Sequence, residues 1–171
     1  GEIEAKRDTV NLHQLKAEQI RAEVARLEDL RKKVEDALAS NPELKSMTSQ
    51  LQMEMTHDGL RIQIIDQDQR PMFASGNAQP NERTRALIRA VSAAAGRLPN
   101  PIHIAGHTDS TPFRGEGRSN WELSVERANA ARRELLSKEV APERISQVIG
   151  YGDSRPSLPD QPTSALNRRI S

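Results

Sequence analysis

Cysteine is absent from the 171 residues, which excludes disulfide bonds, thiolate nucleophiles and cysteine-ligated zinc sites. Aromatic side chains make up only 2% of the chain, so we expect a core built mainly from Leu, Ile, Val and Ala. No apolar run approaches the roughly 20 residues that span a bilayer, and no signal-peptide pattern is present. Because the chain begins at Gly1 rather than at a Met, we expect it to be a fragment or a processed form.

The charge is small overall but unevenly distributed. Residues 1–58 carry nine Lys or Arg and twelve Asp or Glu, a net charge of −3, whereas residues 59–171 carry sixteen and twelve, a net charge of +4. Only Lys138 among those sixteen cations is a lysine. A bias towards arginine suits recognition of carboxylates or phosphates, although drift in composition explains it equally well. The small excess and the lack of aromatic stacking platforms disfavour a nucleic-acid partner.

Residues 9–39 contain neither Pro nor Gly and predict one long helix. Its apolar residues follow a short heptad-like stripe, comprising Ile20, Val24, Leu27, Val34 and Leu38. Such a stripe packs either on the helix's own domain or against a second copy of the chain, and the sequence leaves both possibilities open. The helix is expected to end at Asn41, because a residue before Pro disfavours helical geometry. A second short helix is predicted from Glu43 to about Met55.

After residue 58 the pattern changes to alternating strands and helices. Leu60–Ile64 alternates apolar and polar residues, as in a half-buried strand. Helices are predicted from Glu82 to Leu98 and from an N-cap at Ser124, and further strands at 101–107, 144–152 and 167–171. This order predicts an α/β fold (an α+β sandwich) of type β-α-β-α-β-β, with helices on one face of a mixed sheet and a long helix before it. We therefore divide the chain into a helical spacer, 1–58, and a domain, 59–171.

The stretch GHTDSTPFRGEGRSNWELSVERANAARREL, from Gly106 to Leu135, carries the most chemistry. His107 with Asp109 could act as a base and its orienting acid, but no Ser or Thr nearby lies in a nucleophile-elbow pattern. His103, His107 and Asp109 share parity and could form a metal triad. A mid-strand His103 is better explained as a residue on the face of the sheet. Catalytic and metal sites are therefore both disfavoured.

A third interpretation is a clamp for a ligand with both charges. Asp109 follows the end of a strand and could accept an ammonium group. Arg127 is expected in the first turn of the next helix, where its planar donor fork would join free backbone N–H groups in binding a carboxylate. Alternatively, Asp109 and Arg127 pair with each other. Chemistry alone leaves these two possibilities equally open.

Several motifs resemble a known family. GHTD, SNWELSVERANAARREL, VIGYGDSRP and NRRIS occur in the order and spacing of OmpA-like peptidoglycan-binding domains, and the resemblance covers residues 59–171. RPMFASGNA (70–78) and the insertion STPFRGEGRSNWELS (110–124) resemble a subgroup, the stator subunits of bacterial flagellar motors. The insertion lengthens the interval between Asp109 and Arg127 relative to the general family pattern, so the entrance to the site is expected to differ in shape.

The resemblance implies a non-catalytic domain that binds the peptide stem of peptidoglycan, mainly through its diaminopimelate residue. By motif position, Asp109 would hold the amine of that residue and Arg127 its carboxylate. Four more residues would line the site: Thr108, Asn120, Leu123 (through its backbone) and Arg168. The resemblance implies no cofactor and no metal.

For the stator subgroup the resemblance implies a periplasmic homodimer that anchors an ion-driven stator to the cell wall. It implies an inner-membrane protein whose single transmembrane helix lies upstream and pairs with a MotA-type channel subunit, and contact with the flagellar P-ring is a further expectation. Residues 1–58 would then be an adjustable spacer between membrane and wall. The alternatives are another OmpA-like wall anchor, such as a lipoprotein or the tail of an outer-membrane protein, and a wall hydrolase.

Overall fold

The computed structural model describes residues 1–74, 76–113, 115–136 and 139–171, and of Asp8 and Val10 the backbone alone. Ser75 and Arg114, which belong to motifs quoted above, and Lys138 lie outside the described residues. In chain order, the helices and strands are α1 (Glu2–Ser40), α2 (Pro42–Lys45), β1 (Leu51–Thr56), β2 (Gly59–Ile65), α3 (Glu82–Ala95), β3 (Ile102–His107), α4 (Asn120–Leu135), β4 (Ile145–Gly150) and β5 (Arg169–Ile170).

The strands form one mixed sheet in the order β1-β2-β5-β3-β4. β3 and β4 are parallel, and the other neighbouring pairs are antiparallel. The short β5 comes last in sequence yet lies in the middle of the sheet, where Ile170 is opposite Ile64 on one side and Gly106 on the other. The predicted mixed sheet with packed helices and a preceding long helix is confirmed.

The structure corrects the prediction for residues 43–55. α2 ends at Lys45, and β1 pairs with β2 along its whole length, so the order is β-β-α-β-α-β-β. Alternate residues of β1 are half-buried (Leu51, Met53, Met55) while Gln52 and Glu54 are exposed, which is the pattern of a strand with one covered face. The turn into β2 uses Gly59 at a φ of +129°. The predicted division after residue 58 crosses this hairpin.

α1 packs on the domain through its second half only. Leu27, Leu30, Val34 and Leu38 are buried in the core that α3, α4 and the sheet share. Nearer the start of α1, apolar side chains are exposed, namely Ile3, Leu12, Leu15, Ile20 and Val24. The first of the two predicted fates, packing on its own domain, therefore holds for the second half of the helix. Within the described residues, no helix is both long and apolar enough to cross a membrane.

α4 lies close to β3 and β4 because two glycines allow it. A Cβ on Gly106 would lie 2.2 Å from the carbonyl oxygen of Ser124, and one on Gly150 would lie 2.4 Å from Cγ2 of Val125. The predicted N-cap at Ser124 is wrong, because Ser119 caps the helix and forms a capping box with Glu122. Ser124 is instead fully buried between α4 and the sheet.

Candidate functional site

The first part of the site is the loop that follows β3. Thr108 is buried; its N–H donates to Gly152 O at 2.8 Å, and its hydroxyl donates to Asp109 O at 2.9 Å. The carboxylate of Asp109 is also buried. Its Oδ1 accepts from the N–H of Thr111 at 2.8 Å, and its Oδ2 accepts from Nη1 of Arg168 at 2.5 Å. Asp109 is thus held in a fixed orientation at the end of the strand.

Arg168 joins Asp109 to a second buried carboxylate, that of Asp66. Nε of Arg168 donates to Oδ2 of Asp66 at 2.8 Å, and Oδ1 of Asp66 accepts from the N–H groups of Gln67 and Met72. Burial lowers the pKa of Arg168, but hydrogen bonds to Asp66 and Asp109 outweigh it, so the net pKa is raised above its usual value. The sequence motifs did not single out Asp66; its place at the end of an apolar strand was the available signal.

Arg127 is the most unusual charge in the site. Its side chain is only 6% exposed, its Nε donates to Asn77 O at 3.1 Å, and its guanidinium lies over the ring of Phe73 at 4.6 Å. Among the described residues, Arg127 forms no ion pair. Burial lowers its pKa to about 10, and Arg168 adds to that effect against the attraction of Asp66 and Asp109. The outer nitrogens of a buried cation are therefore without a carboxylate partner.

The direct pair between Asp109 and Arg127, one of the two possibilities left open by the sequence, is not formed in the structure. The structure pairs Asp109 with Arg168, not with Arg127. It also corrects the placement of Arg127, which lies about two turns into α4 rather than in its first turn, since α4 begins at Asn120. The donors on offer to an anion are therefore those of the guanidinium, because Ser119 already caps the start of the helix.

Asn120 and Leu123 lie on α4 beside this loop. Nδ2 of Asn120 donates to the carbonyl oxygens of Asp109 at 3.3 Å and Thr111 at 3.1 Å, which ties the loop to the start of α4. Leu123 is buried one turn before Arg127, and its N–H donates to Ser119 O at 3.2 Å. That backbone donor is therefore already occupied.

The insertion meets the loop that carries Phe73 and Asn77. A Cβ on Gly76 would lie 3.3 Å from Cε2 of Phe113, and the guanidinium of Arg118 lies 5.5 Å from the centroid of the Phe113 ring. Arg118 is in turn paired with Glu126 on α4. Two loops thus come together on the side of the site where Asn77 contacts Arg127.

The catalytic and metal alternatives gain no geometric support. His107 is buried, and its ring stacks on Tyr151 with centroids 5.1 Å apart. Burial, with Arg169 and Arg155 nearby, lowers the pKa of His107 to about 4, so the imidazole is neutral at pH 7. His103 faces outward from β3 and is exposed. In the described part of the chain, no three His, Asp or Glu side chains are close enough to hold a metal ion.

Comparisons with known proteins agree with this architecture. The profile of the OmpA family matches residues 72–169. Motility protein B of Escherichia coli (strain K12) is 38% identical over 163 residues, covering 94% of this chain and 52% of that protein. The chain therefore spans about half the length of the curated relatives it matches.

Two solved structures share the fold. A MotB-like protein from Desulfovibrio vulgaris superposes with a TM-score of 0.64 at 18% identity, over 87% of this chain and 92% of that one. The periplasmic domain of Helicobacter pylori MotB gives a TM-score of 0.57 at 24% identity, over 70% and 83%. The family profile, the similarity to Motility protein B over 94% of this chain and the common fold lead to one assignment. The chain belongs to the OmpA family.

Proposed function

We propose that this chain binds the peptide stem of peptidoglycan without cleaving it, and so anchors the stator of a flagellar motor to the cell wall. The observation that carries the proposal is the buried guanidinium of Arg127, which forms no ion pair among the described residues and interacts electrostatically with the carboxylate of Asp109. A buried cation without a direct ion-pair partner costs free energy, and a ligand carboxylate reduces that cost on binding.

Diaminopimelate fits these two groups, because its side chain ends in both an ammonium and a carboxylate. Arg127 donates to the carboxylate, and Asp109 accepts from the ammonium. Arg168 holds the Asp109 carboxylate in place, while Thr108 and Asn120 brace the loop that carries it. Leu123 supplies apolar packing one turn before Arg127. No step needs a nucleophile, a metal or a cofactor.

The cellular role extends this proposal to the protein of which the chain is a part. The relatives named Motility protein B support a periplasmic location in an inner-membrane protein that works with a MotA-type channel subunit. The exposed apolar residues in the first half of α1 support a homodimer, since a second copy would cover them. Contact with the flagellar P-ring belongs to the same proposal. α1 would then carry force from the membrane to the wall-bound domain.

Co-sedimentation with purified cell-wall sacculi tests the proposal. Arg127→Ala and Asp109→Asn should each weaken binding at least about tenfold, because a charged hydrogen bond contributes about 1.5–3 kcal/mol. Arg133→Ala is the matched control, since it removes the same charge from an exposed position on the same helix. Wild-type binding that survives both site variants would contradict the proposal, and so would release of soluble fragments from the sacculi.

A further inference from the structure

The only tryptophan of the chain lies next to the site and is not used by it. Trp121 is the second residue of α4, and 53% of its surface is exposed. Its ring rests on the backbone at Gly152, where a Cβ would lie 3.3 Å from both Cδ2 and Cε3 of the indole. Gly152 has a φ of +56°, which favours glycine for a second reason. The indole is thus supported from below and open to solvent above.

The support of the indole is continuous with the peptide site. The carbonyl oxygen of Gly152 accepts from the N–H of Thr108 at 2.8 Å, and its N–H donates to Oγ of Ser124 at 2.9 Å. Asn120, next to Trp121 in sequence, donates to the carbonyl oxygen of Asp109. These hydrogen bonds therefore hold the backbone beneath the ring, and the start of α4, in a fixed position relative to Asp109.

The exposed surface around Trp121 carries planar and polar groups rather than a broad apolar area. The guanidinium of Arg155 lies over the ring of Tyr151, 4.0 Å from its centroid, beside Gly152. On α4, the exposed Glu122 is the neighbour of Trp121, and Val125 one turn on is 39% exposed. One flat ring with hydrogen-bonding groups beside it suits a single polar ring better than a protein interface, which buries larger apolar patches.

We infer that Trp121 stacks on a hexosamine ring of the glycan strand whose peptide stem occupies the Asp109–Arg127 site. The flat face of an indole packs on the C–H face of a pyranose, and Arg155 donates hydrogen bonds to the sugar's hydroxyl or acetamido oxygens. The inference rests on the proposed function and extends it from the peptide to the sugar. One domain would then recognise the junction between the two parts of the polymer.

Calorimetric titration with two soluble ligands separates the two ideas. The first ligand is the stem peptide L-Ala–D-Glu–diaminopimelate, and the second is the same peptide on its N-acetylglucosamine–N-acetylmuramic acid disaccharide. The wild-type chain should bind the disaccharide–peptide about tenfold more tightly than the free peptide, because stacking of the sugar buries the exposed half of the indole. Trp121→Ala should remove that preference and leave the affinity for the peptide within about twofold. Trp121→Phe should keep part of it.

Two controls accompany the titration. Val24→Ala shortens an exposed apolar side chain on α1 and should leave the preference unchanged. Asp109→Asn should weaken the binding of both ligands by the same factor, since both present the same peptide to Asp109. If the wild type binds neither ligand, the proposed function fails and the inference falls with it. If the peptide binds but the disaccharide adds nothing, only the inference is overturned.

Quenching of the single tryptophan by acrylamide gives a direct reading of its exposure. Saturation with the disaccharide–peptide should reduce quenching several-fold, whereas the peptide alone should change it little. Equal protection by both ligands would place the peptide on the ring and overturn the inference. A second outcome would also overturn the inference: the Trp121→Ala chain keeps its ligand preference, but light scattering shows a changed oligomeric state. The indole would then pack against a second copy of the chain rather than on a sugar.

Discussion

Arg168 donates from Nε to Oδ2 of Asp66 at 2.8 Å, across 102 positions of sequence. The same guanidinium donates to Asp109, so one side chain links the end of β2 to the loop after β3. Arg127, by contrast, is buried and forms no ion pair with any residue that the structure describes. Both arginines interact electrostatically with Asp66 and Asp109, but within the described residues only Arg168 donates hydrogen bonds to the two carboxylates. This difference agrees with the proposal that Arg168 holds the site and Arg127 binds the ligand.

Asp66→Asn should destabilise the fold by about 3 kcal/mol, because it leaves part of a buried ion-pair network unmatched. For a chain of this size the melting temperature should fall by about 10 °C. Asp68→Asn is the control: it changes the same residue type 3.7 Å from the same guanidinium, but its side chain is 87% exposed. That variant should lie within about 0.5 kcal/mol of wild type in urea unfolding. Equal effects of the two substitutions would refute the role given to Asp66.

Arg127→Met should bind sacculi poorly and yet be as stable as the wild type or more so. Replacing an unpaired buried cation with an apolar side chain of similar length removes a desolvation cost, and comparable replacements gain about 1–4 kcal/mol. Thermal unfolding and co-sedimentation measured on the same preparation check both parts. A marked loss of stability would show that Arg127 holds the fold together rather than binding a ligand.

Stability should decrease between pH 6.5 and pH 4 because of His107. The pKa of His107 in the folded chain, about 4, lies below the ordinary histidine value of 6.5. The unfolded chain therefore binds more protons in that window, and stability rises with pH. The contribution is complete above pH 6.5 and falls by about 3 kcal/mol as the pH approaches 4. Urea unfolding at several pH values should show a flatter dependence for His107→Gln. The exposed His103→Gln should retain the wild-type slope.

The two halves of α1 should differ in hydrogen exchange. Amides from about residue 27 to 38 should be protected nearly as well as those of β3, because their side chains belong to the core. Amides before residue 24 should exchange much faster in a monomer. Val34→Ala should cost about 2 kcal/mol, whereas Val24→Ala, the same change at a 43% exposed position, should cost less than about 0.5 kcal/mol. Uniform protection along α1 would contradict this division.

The local sequence pattern was enough to predict most helices and strands. It failed where the structure of a segment depends on a partner far away in sequence. β2 was recognisable from its alternating apolar and polar residues. β1 was misread as a helix because Leu, Gln, Met and Glu all favour helices, and only pairing with β2 makes Leu51–Thr56 a strand. Asp109 and Arg127 were found from their motif. Asp66 was missed because its role depends on its ion pair with Arg168, which lies 102 positions further along the chain.

The place of β5 has a consequence for how this chain folds. Arg169 and Ile170 follow every other strand in sequence, yet they fill the gap between β2 and β3. Without these residues the sheet consists of two separate hydrogen-bonded pairs, β1-β2 and β3-β4. Joining them requires contacts between residues far apart in sequence, which form slowly. Because Arg168 adjoins β5, the same event brings Asp66 and Asp109 together. Binding competence should thus be acquired in the last folding step, after the two halves of the sheet have formed.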